Sequence, residues 1–383
     1  MLKNKDLRIL MIVTANSLLD GVNRHILAMA SGLNKLDGVS VAICTVFPWG
    51  ELHKEIVNKG IPAYAMDGSS GHSIKILGRF RKILKEFSPN IIHAHTIPFC
   101  VRLYLNIFRK TAKVVVTYHG LGRIGNLERF INRLLYIKID GCIYVSNGVK
   151  DFYQCKNKNI PNHAVIYNPI AICNTKVEKE RCKSRELCAE LGVLPSQKII
   201  GTACRIAQIK RPLFFIEVMI QVLILNSNVC AVIIGDGDKD LQEQMKARVI
   251  KAGLSNRVFF MGYRADARTL ISDFDIFVVT STSEGMPTAV LEAMSSGVPV
   301  VFSKGRGGLM DLEKINQEFE FGVFTDSDDL MGMANSINHL LMNDLSKYNR
   351  LSSSAQFVCE TIFSVDIVSK QVAGFYKQIL GVN

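Results

Sequence analysis

The sequence predicts an α/β protein made of two doubly wound, largely parallel domains, and three observations carry that expectation. At 383 residues the chain exceeds what one ordinary core organises. Short β-rich runs alternate with longer amphipathic segments, which is the pattern of βα units. Several of those runs are apolar almost throughout, as strands covered on both faces are. Apolar residues make up 48% and charged residues 21%, so a disordered chain is set aside.

Taken in order, strands are expected at Arg8–Val13, Val39–Thr45, Ile91–Ala94, Lys113–Thr117, Gly141–Val145 and Ala164–Tyr167. Helical spacing falls between them over Val22–Leu36, Ser73–Phe87 and Leu127–Ile139. A second series of strands runs through Lys198–Cys204, Val229–Ile234, Val258–Met261, Ile276–Thr280 and Val298–Phe302. The seam is expected at Asn168–Pro169, because Pro169 biases Asn168 away from helix and Asn174–Lys183 is polar and charged. That gives an N-terminal domain over 1–170, a C-terminal domain over 171–363, and a closing helix over 364–383, where Val365, Val368, Val372, Phe375 and Leu380 fall at helical spacing.

Lys3, Lys5 and Arg8 ahead of the apolar run Ile9–Val13 imitate a signal peptide. The run is short, and Asn16, Asp20 and Asn23 follow without a small-residue cleavage pattern, so a first strand is expected instead. No apolar stretch approaches the ~18 residues of a membrane span. Ten cysteines occur with no Cys-x-x-Cys pair, which reads as reduced thiols and a cytoplasmic protein.

The net charge of +12 is uneven: residues 1–192 hold 28 Lys+Arg against 14 Asp+Glu, and the remainder 18 against 20. An anionic partner for the first half follows, with a well-solvated basic face as the plainer alternative. Its seat is IKILGRFRKILKEF, residues 74–87, where Arg79, Arg81, Lys82 and Lys85 interleave with Leu77, Phe80, Ile83, Leu84 and Phe87. Such a helix lies on an anionic membrane surface or forms the basic rim of a core helix. Arg102–Lys113 adds further positive charge, so a peripheral position at the inner membrane face is an expectation beside the plain cytoplasmic one.

The chemistry concentrates in SEGMPTAVLEAMSSGVPVV, residues 283–301, directly after a strand expected to be buried. Open α/β sheets bind ligands at that end of a strand. Pro287 suits a first helical turn and Gly297 its far end, so a helix begins after Gly285 and offers free amides to a diphosphate. Glu284 precedes the helix and Glu292 falls in its second turn, so two carboxylates meet one mouth. By spacing alone, two surface glutamates on an ordinary helix are the favoured reading; the surrounding pattern reverses that. A second segment, GTACRIAQIKRP, places Arg205 and Lys210 in a strand-to-helix loop, where two cations stabilise charge developing on a leaving phosphate.

Together these segments resemble the family 4 retaining glycosyltransferases (glycosyl transferases group 1). The match includes the Glu-x7-Glu spacing, the Gly-x-Pro after the first Glu, the Glu-Ala-Met at the second, and the Arg-x4-Lys pair. The resemblance covers essentially the whole chain, most specifically residues 198–301. It implies the GT-B fold, two facing Rossmann-like domains with the active site in their cleft, the nucleotide held by the C-terminal one. It implies that Glu284 contacts the donor sugar and Glu292 the ribose, with Gly285, Met286, Pro287, Thr288 and Ala289 in the same donor loop. Arg205 and Lys210 would neutralise the diphosphate in place of a metal, so no metal or other cofactor is expected. DGVNRH at Asp20–His25 resembles the family's glycine loop with one glycine, Gly21, where two are usual; Asp20 near a diphosphate would repel it. TYHG at Thr117–Gly120 resembles the His-Gly step that puts His119 beside the transferred sugar. Asn168–Ile170 resembles the family's domain junction, and reads as hinge.

Other acidic and histidine pairs compete for attention. His93 and His95 share one strand face at a spacing metals use, but a structural role is favoured. Asp273 with Asp275, and Asp236 with Asp238, imitate a metal-binding Asp-x-Asp; the second pair reads as a turn with Gly235 and Gly237. Gly-x-Gly-x-x-Gly is absent after the first strand, against a nicotinamide enzyme. The implied function is therefore a retaining, metal-independent hexosyltransferase, taking a nucleotide-sugar donor to a glycan or lipid-linked acceptor in surface polysaccharide biosynthesis. Its rivals are an epimerase or hydrolase of sugar nucleotides on the same fold, and a catalytically degenerate nucleotide-binding protein. Nucleic acid is not expected as a partner, since no aromatic-basic module accompanies the charge.

Overall fold

A computed structural model describes residues 7–14, 21–68, 75–95, 101, 104–105, 112–122, 139–154, 162–172, 185–342 and 344–382. Two compact units result, Met1–Pro169 with Val365–Asn383, and Ile170–Ser364. The expected helix Leu127–Ile139 lies almost wholly outside the described residues, as do Asp20, most of Arg102–Lys113 and the polar run Asn174–Lys183.

The first unit holds a seven-stranded sheet in the order β3-β2-β1-β4-β5-β6-β7. Its strands are β1 Leu7–Val13, β2 Val39–Thr45, β3 Ala63–Ala65, β4 Ile91–Ala94, β5 Lys113–Tyr118, β6 Gly141–Tyr144 and β7 His163–Val165. Every pairing is parallel. The run Ile9–Val13 is thus a central strand with both faces covered. Ile9, Met11 and Val13 face one cluster with helix Gly21–Leu33. Leu10 and Ile12 face another with helix Lys75–Phe87. Strand β7 begins and ends earlier than the expected Ala164–Tyr167, and the short strand β3 is not among those that the sequence pattern predicts.

The last helix, Val365–Leu380, packs into this unit through Val368, Val372, Phe375, Tyr376 and Ile379, each at most 8% exposed. Burial of side chains this size stabilises by about 1.5–3 kcal/mol each. Helix Lys75–Phe87 buries Ile76, Phe80, Ile83 and Phe87 in the core. Of the two readings for that helix, the structure shows the core helix with a charged rim: its apolar stripe is covered by protein, and the exposed side chains are those of Arg79, Arg81, Lys82, Lys85 and the acidic Glu86. Gly78 and Gly374 sit in these two helices with open space where a Cβ would go. Alanine removes backbone freedom from the unfolded chain and meets nothing here. Gly78→Ala and Gly374→Ala should each raise stability by about 0.4–1 kcal/mol, read as a higher midpoint in urea with an unchanged slope.

The second unit carries a six-stranded sheet in the order β10-β9-β8-β11-β13-β15. These strands are β8 Lys198–Ala203, β9 Val229–Ile234, β10 Val258–Gly262, β11 Ile276–Val279, β13 Val300–Ser303 and β15 Gly322–Thr325. They too pair in parallel. Helix Pro212–Leu225, with Pro at its start, joins Lys239–Lys251 and Leu330–Met342 over one face. A separate two-residue pair, β12 Ser283–Glu284 against β14 Arg306–Gly307, stands apart from the main sheet. In both main sheets the strand order reverses once, between β1 and β4 and between β8 and β11. In open α/β folds ligands bind at the carboxyl ends of strands at such a reversal.

Candidate active site

The reversal in the second unit brings together the two loops that carry the chemistry. Strand β8 leads into Arg205, which is exposed and makes no ion pair with any described residue. A short 3-10 turn, Gln208–Lys210, follows. Strand β11 leads through Thr280 to Glu284. The two loops are sewn together by backbone: the Thr282 N–H donates to the Ile209 carbonyl at 2.9 Å, and the Thr280 hydroxyl donates to the Lys210 carbonyl at 2.8 Å. The result is a bidentate ion pair, with Lys210 Nζ 2.6 Å from Glu284 Oε1 and 2.5 Å from Oε2. Both side chains are four-fifths buried or more.

Glu284 is held by a further loop, Lys304-Gly-Arg-Gly-Gly308, which is not among the predicted site segments. Its backbone pairs with that of Glu284 as β14, and Gly305 and Gly308 pass so close that a Cβ on either would strike Ser281, Thr282 or Gly285 backbone. The run of glycines is the signal that the sequence offers for it. Beyond Glu284, Gly285 bends the chain, Met286 is buried, and Pro287 caps the helix Thr288–Ser295. Thr288 and Ala289 form its first turn. Glu292 falls in its second turn, 6% exposed, with its backbone carbonyl accepting from Ser295 and Ser296 hydroxyls. The structure therefore brings Arg205, Lys210, Glu284 and the Gly285–Glu292 segment to one mouth.

The competing aspartates are occupied otherwise. Asp275 accepts from Arg185 Nη1 at 2.9 Å, Lys198 Nζ at 3.0 Å and the Ile199 N–H at 2.8 Å. Asp273 accepts from the Arg185 and Leu187 amides at 3.0 Å each. Both precede β11 and so lie at the amino edge of the sheet, away from the ligand edge. Asp236 accepts from Lys239, Gln242 and the Gly237 amide, and these bonds, Lys239 first, hold it down to about 2. Asp238 caps helix Lys239–Lys251 through the Leu241 amide. Gly235, at φ 137, passes where a Cβ would overlap the Cys204 carbonyl, which is why this turn needs glycine.

In the first unit the reversal gathers histidines. Gly21 opens helix Gly21–Leu33, which follows β1, and His25 lies one turn on. His95 follows β4 and His119 follows β5. His95 Nδ1 is 2.9 Å from His119 Nε2, and the His25 ring meets the rings of His95 and His119 edge-on at 5.9 and 5.1 Å. His25, the last residue of the DGVNRH segment and no part of the predicted site, has both ring nitrogens buried with no partner among the described residues, as has Nε2 of His95. One ring nitrogen each from His25, His95 and His119 lies within 4.8 Å of the others, so these three have the composition of a transition-metal site. His93 instead serves structure: Tyr376 OH donates to its Nδ1 and its Nε2 faces the Thr117 hydroxyl, both at 2.6 Å.

Burial keeps these rings neutral, lowering His93 to about 3 and His119 to about 4, with His25 and His95 pushed down as well. An unfolded imidazole titrates near 6.5, so below that pH the unfolded chain takes up protons that the folded one refuses. Stability is complete above pH 6.5 and falls by about 1.4 kcal/mol per unit per imidazole until the folded value is reached. The first unit should therefore lose stability steeply from about pH 6.5 to 4, followed by the emission of Trp49, the single tryptophan. His93→Asn should flatten that slope.

Two doubly wound parallel domains of this kind are the fold of the GT-B glycosyltransferases. The profile of Glycosyltransferase Family 4 matches residues 19–172, and that of Glycosyl transferases group 1 matches residues 184–357. The chain belongs to this glycosyltransferase family. Among its relatives is the lipopolysaccharide core biosynthesis mannosyltransferase LpsB of Rhizobium meliloti, 24% identical over 73% of this chain and 76% of that protein. Another is the N-acetyl-alpha-D-glucosaminyl L-malate synthase of Bacillus anthracis, 20% identical over 88% and 87% of the two chains. Anabaena Alr3699/HepE, solved with UDP and glucose, shares the fold with a TM-score of 0.77 at 22% identity, covering 97% of this chain and 99% of that one. Among the described residues no helix is long and apolar enough to cross a membrane.

Proposed function

We propose that the protein is a retaining hexosyltransferase that moves a sugar from a nucleotide-sugar to a glycan or lipid-linked acceptor in surface polysaccharide assembly. The observation that carries this is the meeting of Arg205, Lys210, Glu284 and the helix led by Pro287 at the β8/β11 reversal. The helix amides and the two cations take the diphosphate, Glu292 the ribose, and Glu284 the hexose. The sugar–phosphate bond breaks as the acceptor oxygen forms its bond on the same face, and the departing phosphate oxygen takes the acceptor proton. Glu284 then orients the sugar, and Lys210, paired with Glu284, shares its charge with the phosphate. In the first unit, His119 and Gly21 follow β5 and β1 of its own sheet, and the family resemblance assigns both to the sugar donor. LpsB is a lipopolysaccharide core enzyme, which favours a surface glycan as destination. The exposed Arg81, Lys82 and Lys85 support electrostatic contact with an anionic membrane surface at its cytoplasmic face.

Thermal unfolding with UDP, GDP, ADP, CMP and NAD in turn tests the donor. A ligand at 100 times its Kd stabilises by about 2.7 kcal/mol, a shift of a few degrees. UDP is the first expectation, since HepE was solved with it. No shift with any nucleotide at millimolar concentration would leave a degenerate protein, and donor turnover without acceptor would mark an epimerase or hydrolase. EDTA should leave transfer intact, because Arg205 and Lys210 supply the positive charge. Loss of activity with EDTA would move the metal reading to His25, His95 and His119.

A further inference from the structure

Strand β2 ends at the ligand edge of the first sheet, and the loop after it, Val46–Gly50, presents the only tryptophan of the chain. Trp49 is 59% exposed, which is unusual for so large an apolar side chain. It is nevertheless held in place. Its ring stacks on His53 with centroids 4.5 Å apart and planes inclined by 26°. His53 is fully buried, and each of its nitrogens has a partner. The Gly50 N–H donates to its Nδ1 at 3.0 Å, and its Nε2 lies 3.0 Å from the Thr45 hydroxyl. That hydroxyl already donates to the Phe47 carbonyl at 2.8 Å, so it accepts from His53 Nε2–H. The neutral imidazole is thus fixed in one tautomer and one orientation. Three hydrogen bonds and a buried ring hold an indole with a broad part of its surface in water.

We propose that Trp49 is a stacking platform for a sugar ring of the acceptor. The proposal rests on the transferase reading above. A pyranose offers a flat array of C–H bonds that covers an aromatic face while its hydroxyls stay hydrated at the rim, and a preset ring binds it without losing further side-chain freedom. The place fits an acceptor. Strands β2 and β5 lie three positions apart in the order β2-β1-β4-β5, and their carboxyl ends carry Trp49 and His119. At about 4.8 Å per strand the two loops stand about 14 Å apart, the length of about two to three hexoses. Trp49 would then hold a sugar some two units back from the reacting hydroxyl and select acceptors long enough to reach it.

The single tryptophan makes its own probe. Oligosaccharides released by mild acid from the surface glycan of the source cells are titrated against the full chain while Trp49 emission is followed. Vesicles of phosphatidylcholine with phosphatidylglycerol are titrated in parallel. The expected result is a saturable emission change with the longer oligosaccharides and protection of Trp49 from acrylamide quenching. In transfer assays Trp49→Ala should raise the acceptor KM about tenfold for those oligosaccharides, with kcat at saturation little changed, and Trp49→Phe should restore most of the affinity. The exposed position means that both variants fold, and a retained UDP-induced thermal shift confirms it. An emission response to vesicles and none to glycan would overturn the proposal in favour of a membrane anchor, and no response to either would overturn it outright. A glycan response in a protein that shows no nucleotide shift and no transfer would sink the transferase reading while leaving the sugar platform standing.

Discussion

Glu284→Gln should leave a folded protein that still binds nucleotide yet transfers sugar about 100- to 1,000-fold more slowly, the usual cost of removing one preorganised polar group from a transition state. Glutamine keeps the shape of the side chain and its backbone pairing with Gly307, and removes only the charge. That charge has two tasks. Both carboxylate oxygens accept from the Lys210 ammonium, and in the proposed complex the carboxylate accepts from the hexose hydroxyls. Loss of the partner frees Lys210 to bind a phosphate, so nucleotide affinity should hold or rise while turnover collapses. Lys210→Met has the opposite character: it leaves the Glu284 carboxylate four-fifths buried with no cation, so it should cost stability as well as rate. The double variant should lose less than the two single losses added together, because the pair acts as a unit. Glu292→Ala serves as contrast, weakening nucleotide binding with a smaller effect on turnover at saturation. Initial rates with a UDP-sugar, beside calorimetric titration with UDP, separate these cases. Wild-type rates in both glutamate variants would remove the site from this mouth altogether.

Much of this arrangement is legible in the amino-acid sequence. The chemistry sits in loops that directly follow buried strands, and a buried parallel strand announces itself as an apolar run. Once Lys198–Ala203 and Ile276–Val279 are read as strands, Arg205, Lys210 and Glu284 fall at their carboxyl ends. What sequence spacing cannot supply is which strands are neighbours. The meeting of β8 with β11, which places Lys210 within bonding distance of Glu284, is a property of the sheet order. The same limit hides the Lys304–Gly308 loop, whose glycines have meaning only against the backbone they touch. It also hides His25, which joins His95 and His119 from a helix that follows a different strand. Helix Lys75–Phe87 shows the limit from the other side. An apolar stripe flanked by arginines and lysines states that one face is covered, and only the tertiary structure shows that the covering is the core of its own unit. Strands β3 and β15 escape the pattern because they lie at the edges of their sheets and are only partly buried, so Ala63–Ala65 and Gly322–Thr325 do not form the fully apolar runs that mark the central strands.

The glycine loop yields the second large effect, and there two opposing forces can be weighed. Gly308 opens helix Gly308–Phe319, and alanine is favoured over glycine in a helix by up to about 1 kcal/mol. Local propensity alone would make Gly308→Ala stabilising, as it should be at Gly78 and Gly374. At Gly308, however, the new Cβ would lie 2.2 Å from the Gly285 carbonyl oxygen and 3.0 Å from the Met286 Cα. These are backbone atoms, which no rotamer change can move aside. Either the helix retreats or Gly285–Met286 shifts, and Met286 is itself buried, so the adjustment passes to Glu284 and its bond to Lys210. Displacements of about 1 Å near reacting groups cost about 100-fold in rate. Gly308→Ala should therefore show a loss of transfer close to that of Glu284→Gln, although it alters no charged group, together with a lowered midpoint for the second unit. Reversion by a compensating change on the helix side, such as Leu309→Ala to give the amino end room to back away, would show that the loss comes from displacement. Full activity in Gly308→Ala would mean that the Glu284 loop tolerates movement, and that its pairing with Arg306 and Gly307 does not set the geometry of the site.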